Sequence, residues 1–160
     1  MLPTTPSQTV GPFYTLGLCR EPAHELVPPS DRAAVWLRGR LLDGEGEPVD
    51  GVVEVWDHVE RRWGRCGTDG DGRFAFTIAR PARAGADAPR LDVYVFARGL
   101  LKHQLTRIYF PDEPDANAAD PVLSGLDEDD RATLIAQPGG DGLQFDIRMQ
   151  GEAATVFFAV

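Results

Sequence analysis

The sequence predicts an all-β fold, a single-domain β-sandwich with an extended N-terminal arm and one short helix. Three observations predict it: apolar residues alternating with period two in several short runs, turn residues between those runs, and a proline-rich opening segment. The 160 residues, 42% of them hydrophobic, suffice for one domain whose core needs neither disulfides nor a structural metal.

The elements follow in chain order. Residues 1–30 carry Pro3, Pro6, Pro12, Pro22, Pro28 and Pro29. Proline fixes φ and removes an N–H donor, so no regular helix is expected there. Phe13, Tyr14, Leu16 and Leu18 lie in the same stretch, and a disordered arm would not need them. Residues 1–30 therefore read as an arm laid against its own domain or a neighbour, with the sandwich over 31–160. Val35, Leu37, Gly39 and Leu41 alternate with Trp36, Arg38, Arg40 and Leu42 as far as the turn Asp43-Gly44-Glu45-Gly46. Val53, Val55 and Trp56 mark a second strand, and Asp69-Gly70-Asp71-Gly72 signals a tight hairpin. Phe74, Phe76 and Ile78 then oppose Arg73, Ala75 and Thr77. Leu91, Val93, Val95 and Ala97 oppose Asp92, Tyr94 and Phe96. Segments 105–110, 144–150 and 155–158 complete the strands. The single expected helix runs from Leu126 to Ala136, with Asp127 to Asp130 at its start, where the helix dipole favours negative charge. Leu134 and Ile135 are expected to face inward at its end.

Charge and motifs exclude several functions. A formal net charge of −9, with 25 acids against 16 bases, argues against nucleic acid and against an anionic membrane surface. Cys19 and Cys66 have no metal-type spacing, and whether they pair is left open; a reducing cytoplasm is the default. Residues 1–10 lack the apolar stretch of a signal peptide, and no run approaches membrane-spanning length. A soluble cytoplasmic protein is expected. His24, His58 and His103 are scattered, and none belongs to a metal-binding pair; each reads as a surface or hydrogen-bonded histidine. There is no G-x-S-x-G elbow, and the glycine clusters lie in turns. The acids of 112–115 and 127–130 read as solvated faces. Composition and spacing stop at a soluble β-sandwich.

Longer blocks go further. Thr5-Pro6-Ser7-Gln8-Thr9-Val10-Gly11-Pro12-Phe13 resembles the N-terminal signature of the intradiol ring-cleavage dioxygenases. Val53-Glu54-Val55-Trp56, Phe96-Ala97-Arg98-Gly99, Thr106-Arg107-Ile108-Tyr109-Phe110 and Asp120-Pro121-Val122-Leu123 follow in that family's order. Phe145 to Glu152 and Thr155 to Phe158 close the chain, and this block and the Arg98-Gly99 strand end are similar to α-type chains of two-chain members. The resemblance implies a β-sandwich of the intradiol type. It also implies an activity that opens protocatechuate with O2 to 3-carboxy-cis,cis-muconate, both oxygen atoms entering the product. Its cofactor is Fe(III), held by two tyrosinates and two histidines of a β-type partner chain.

This chain departs from the ligand pattern. Where ligand-bearing members have His-Ile-His, it has Arg90-Leu91-Asp92, and a guanidinium stays protonated and cannot coordinate. The segment after Trp56 and the proline turn at Pro81 contain no tyrosine. The resemblance thus implies no metal ligand and no catalytic residue in this chain, which would be inactive without its β subunit in an obligate hetero-oligomer. It does imply pocket residues. Thr9, Gly11, Pro12 and Phe13 would line the pocket beside the partner's iron, and Arg98 would face the substrate carboxylate, which a planar guanidinium pairs bidentately. On pattern alone, Gly11-Pro12 is a turn, Phe13 a core residue and Arg98 a surface residue. Arg107 and Arg148 read as structural ion pairs, and Trp56 with Val156-Phe157-Phe158 as core or interface. Two other functions stay open: a purely structural assembly partner of a catalytic chain, or a stand-alone binding module on a degenerate intradiol fold.

Overall fold

A computed structural model describes residues 3–159. Nine strands form two sheets: β1 Val35–Leu42, β2 Gly51–Asp57, β3 Arg62–Gly67, β4 Arg73–Ile78, β5 Arg90–Ala97, β6 Gln104–Tyr109, β7 Gln137–Gly139, β8 Gly142–Gln144 and β9 Ile147–Arg148. One sheet has the order β4-β1-β8-β7 with β9 also on β1, and the other has the order β3-β2-β5-β6. The alternation predicted the facing. Leu37, Leu41, Phe74 and Phe76 from one sheet meet Val53, Val55, Val93 and Val95 from the other in a single core. A second cluster of Tyr109, Leu123, Leu134 and Ala88 packs around the end of β6.

Asp120 organises that second cluster. Its carboxylate is 1% exposed and accepts hydrogen bonds from the N–H groups of Ala88 (2.9 Å), Val122 (2.9 Å) and Leu123 (3.1 Å) and from the Tyr109 hydroxyl (3.2 Å).

Four expectations need correction. The turn Asp69–Gly72 forms, with Gly72 at φ +74, but it is not a hairpin within one sheet: β3 pairs with β2, and β4 pairs with β1. Its Asp69 carboxylate binds the N–H groups of Asp71 and Arg73, which turns the chain across from one sheet to the other. Segment 144–150 is two strands rather than one. Gly39 of β1 has no side chain, which admits the Phe145 backbone where a Cβ would overlap its carbonyl oxygen, so the pairing breaks between β8 and β9. Segment 155–158 is extended but joins β6 only through a bridge between Leu105 and Phe158 and the Thr106 hydroxyl bond to the Val156 carbonyl (2.7 Å).

Helices account for the fourth correction. Among the described residues three short α-helices occur instead of one, α1 Tyr14–Leu18, α2 Pro114–Ala119 and α3 Glu128–Ala132, with a single 3-10 turn at Leu123–Gly125. α1 fits into the proline-free stretch between Pro12 and Pro22, which is long enough for one turn. α2 starts on Pro114, where a missing N–H costs nothing, with Asp115 beside it in the first turn. α3 ends well short of Ala136. The edge of β6 captures the following residues, Tyr109 N–H binding the Leu134 carbonyl (2.9 Å) and Ala136 N–H binding the Tyr109 carbonyl (3.0 Å). Leu134 and Ala136 then turn inward with strand spacing, both fully buried. Asp127 caps α3, its carboxylate accepting Asp130 N–H at 2.8 Å. Asp127→Ala is expected to cost about 1 kcal/mol, read as a lower denaturant midpoint at unchanged slope.

Cys19 and Cys66 are free thiols. Cys66 packs against the core, whereas Cys19 lies over Gly67, the next residue of β3. Both line one cleft with His24 and Arg65, and burial, with the Cys66 charge adding to it, pushes the Cys19 thiol up. No helix of the described residues is long and apolar enough to cross a membrane.

Candidate functional site

The site residues expected from sequence gather where the arm crosses the end of β5. That strand stops at Ala97, and Gly99 follows in the left-handed region at φ +88. Only glycine takes this conformation without a Cβ penalty. The turn aims Gly99 N–H at the arm, where the Thr9 hydroxyl oxygen accepts it at 2.7 Å. Arg98 projects from the same turn into solvent. It forms no ion pair among the described residues.

Beyond Thr9 the arm bends through Gly11 and Pro12, both exposed, and Tyr14 N–H closes the bend onto the Gly11 carbonyl (3.3 Å). Phe13 does not join the core. It is 75% exposed, and Leu16, three positions on, is 77% exposed, so the arm offers solvent an apolar edge. Tyr14 turns the other way. Its ring is buried and its hydroxyl lies 3.4 Å from an Asp50 carboxylate oxygen. Burial, with Asp50 adding to it, pushes its pKa up to about 12, while the charge of nearby Arg98 works against the shift. An apolar cavity of about 400 Å³ opens beneath the arm, between Gln8 and Val10 on one side and Phe96, Leu100 and His103 on the other. The His103 ring lies 5.4 Å from that of Tyr94 and 5.5 Å from that of Phe96.

Structure therefore brings Thr9 next to Arg98 and places Gly11, Pro12 and Phe13 on an exposed bend beside them. Sequence reasoning missed Tyr14 and Asp50, which hold the far side of that bend. An aromatic directly after an exposed one, at the start of a proline-free stretch, was the available signal for Tyr14. Asp50 has no such signal, since only the fold brings the start of β2 under the arm.

The Arg90-Leu91-Asp92 segment opens β5 at the far end of the strand from Gly99, with Arg90 and Asp92 on the same face as Phe96. Asp92 is almost fully buried and is contacted by two guanidinium groups, Arg90 and Arg107 with its Nε at 3.4 Å, and by the His58 ring with its Nε2 at 2.8 Å. Arg90 also pairs with Asp87 at 3.3 Å. Burial opposes the Arg90 charge, but Asp92 and Asp87 outweigh it and hold the guanidinium more firmly protonated than a free arginine. These donors do not fit a ferric ion. A guanidinium offers no lone pair, and the one carboxylate is already neutralised by its neighbours. Tyr109 is no substitute, because its hydroxyl donates to Asp120 and its burial pushes the pKa up, away from a tyrosinate. Among the described residues no group of three or more His, Cys, Asp or Glu could hold a metal.

Arg107 thus forms the ion pair expected of it. Arg148 does not, having no acidic partner among the described residues; the nearest acid along the chain, Asp146, is turned to Arg40 instead. Trp56 lies on the outer face of its sheet, 36% exposed and stacked on His58.

No family model matches the chain. It is 38% identical to the protocatechuate 3,4-dioxygenase alpha chain of Burkholderia cepacia, over 99% of this chain and 98% of that one. To the alpha chain of the same name from Pseudomonas putida it is 35% identical, over 99% and 97%. The beta chain from Burkholderia cepacia is 30% identical over 74% of this chain and 65% of its own length. Among solved structures, the dioxygenase domain of a carbohydrate-binding fusion from Streptomyces sp. SirexAA-E superposes with a TM-score of 0.64 at 19% identity, covering 92% of this chain and 99% of that one. Hydroxyquinol 1,2-dioxygenase from Pseudomonas putida DLL-E4 gives 0.62 at 18% identity, covering 81% and 60%. These two share the fold, and the nearly full-length identities narrow it: the chain belongs to the intradiol ring-cleavage dioxygenases, among the protocatechuate 3,4-dioxygenase alpha chains.

Proposed function

We propose that this chain is the half of a two-chain protocatechuate 3,4-dioxygenase that carries no metal, and that it completes the pocket in which a beta chain opens the ring. The observation that carries this reading is the pairing of Arg98, exposed and without an ion-pair partner, with an arm whose apolar edge faces outward. An exposed apolar edge needs a surface to cover it, and a related beta chain exists for these alpha chains. In the complex, the exposed edge of the arm reaches the partner. Gly11 and Pro12 give a flat wall that an aromatic ring approaches closely, Phe13 closes its edge, and Arg98 binds the substrate carboxylate through paired N–H donors. Iron sits in the beta chain and supplies the chemistry of ring opening with O2 to 3-carboxy-cis,cis-muconate. This chain orients the substrate and excludes water from it.

Co-expression with its beta chain tests the proposal. Stoichiometric iron, visible tyrosinate-to-iron absorption and protocatechuate-dependent O2 uptake are expected only when both chains are present. Iron bound stoichiometrically by this chain alone would overturn it. A stable lone chain that ignores every beta chain would point instead to a stand-alone binding module.

A further inference from the structure

We propose that Thr9 is a positioning residue: by accepting the Gly99 N–H, its hydroxyl locks the arm to the turn that carries Arg98 and so fixes the spacing between the two walls of the substrate pocket. The proposal rests on the reading of Arg98 as the carboxylate partner. It moves Thr9 from lining that wall to holding it together.

Two features of the structure support it. Among the described residues, the 2.7 Å bond to Gly99 is the one hydrogen bond between residues 3–13 and the sandwich. The bend at Gly11 and Pro12 is thus a short span pinned at Thr9 on one side and by the buried Tyr14, near Asp50, on the other. Secondly, Gly99 N–H has no strand partner to fall back on. The β5 pairing with β2 ends at Ala97, and the positive φ turns the next peptide out toward the arm. Without the Thr9 oxygen this N–H would face water, and Arg98 and the bend would move independently. Bidentate recognition of a carboxylate tolerates little such play, because both N–H donors must meet both oxygens.

The test uses the complex with the beta chain and two variants, Thr9→Val, which keeps the shape but removes the acceptor, and Thr9→Ser, which keeps the acceptor. In Thr9→Val, hydrogen exchange at the Gly99 amide is expected to speed up about ten-fold, and in Thr9→Ser to stay near wild type. The KM for protocatechuate should rise about five- to ten-fold in Thr9→Val, with a smaller change in kcat. The KM for catechol, which has no carboxylate, should move less, and Thr9→Ser should restore protocatechuate binding. Iron content stays at the wild-type level. Unaltered Gly99 exchange in Thr9→Val overturns the proposal. So does faster exchange with an unaltered KM, or a joint loss of kcat and iron, which would mark a merely structural role. If the wild-type complex fails to turn over protocatechuate, the functional reading fails, while Gly99 exchange still decides whether Thr9 holds the arm.

Discussion

Replacing Asp120 with alanine is expected to destabilise the fold by about 3–5 kcal/mol, measured by denaturant unfolding. The carboxylate is buried and takes four donors, from Ala88, Val122, Leu123 and Tyr109. Removing it strands three backbone N–H groups and a hydroxyl in an apolar cluster, and each unsatisfied group costs about 1–3 kcal/mol. The same geometry sets the pH dependence. Burial favours the neutral acid, but the hydrogen bonds from Ala88, Leu123, Val122 and Tyr109 outweigh it and hold the carboxyl below its ordinary range. The folded pKa is then lower than the unfolded one. The contribution is complete above about pH 4 and is lost as pH falls through the folded value. Wild type should therefore lose stability in acid more steeply than Asp120→Asn, which cannot titrate there and presents an amide N–H₂ to groups that are themselves donors. Equal acid sensitivity in the two would show that Asp120 is not the titrating group. A loss at Asp120 should also loosen the neighbouring ion pairs, because Tyr109 lies 3.5 Å from Arg107 and Arg107 binds Asp92.

How much of this was legible in the sequence depends on how local the cause is. The strands with clean alternation, Phe74 to Ile78 and Leu91 to Ala97, were readable because burial on one face imposes period two on the residues themselves. The Asp69–Gly72 turn was readable as a turn, since φ +74 at Gly72 is a local demand. Which sheets it joined was not, because that depends on partners far along the chain. Helix α3 began at Glu128, two residues after the expected Leu126 and among the acids read as its start, but its end was set by a competitor outside the segment, the free edge of β6. The broken strand at 144–148 depended on Gly39, more than a hundred residues earlier, admitting Phe145. At the site, the turn at Gly11-Pro12 and the exposure of Arg98 were legible from pattern alone, whereas Phe13, which pattern placed in the core, is exposed; the proposed pocket role of these residues comes from the family resemblance. The Thr9–Gly99 bond and the Asp50 contact were illegible, because they join segments that only the fold makes neighbours.

Substituting Arg98 by alanine in the complex with the beta chain is expected to lower kcat/KM for protocatechuate about a hundred-fold, mostly through KM. The size follows from the pairing. Two charge-assisted hydrogen bonds to a carboxylate, lost together with the water-excluding fit around them, correspond to about 3 kcal/mol. Catechol gives the internal control, since it lacks the carboxylate and should lose much less, so the preference between the two substrates collapses. Arg98→Lys should fall between wild type and alanine, because an ammonium keeps the charge but not the planar pair of donors. Iron content and assembly should be untouched: the side chain is exposed and forms no ion pair that folding depends on. Kinetics indistinguishable from wild type would reduce this chain to a scaffold for the beta chain. A loss shared equally by catechol would move Arg98 away from the carboxylate and toward general support of the pocket. The contrast with Arg90 makes the assignment specific. Arg90 is half-buried and already bound to Asp92 and Asp87, so its charge is spent within the fold, while Arg98 is exposed and forms no ion pair among the described residues, as the proposed carboxylate contact requires.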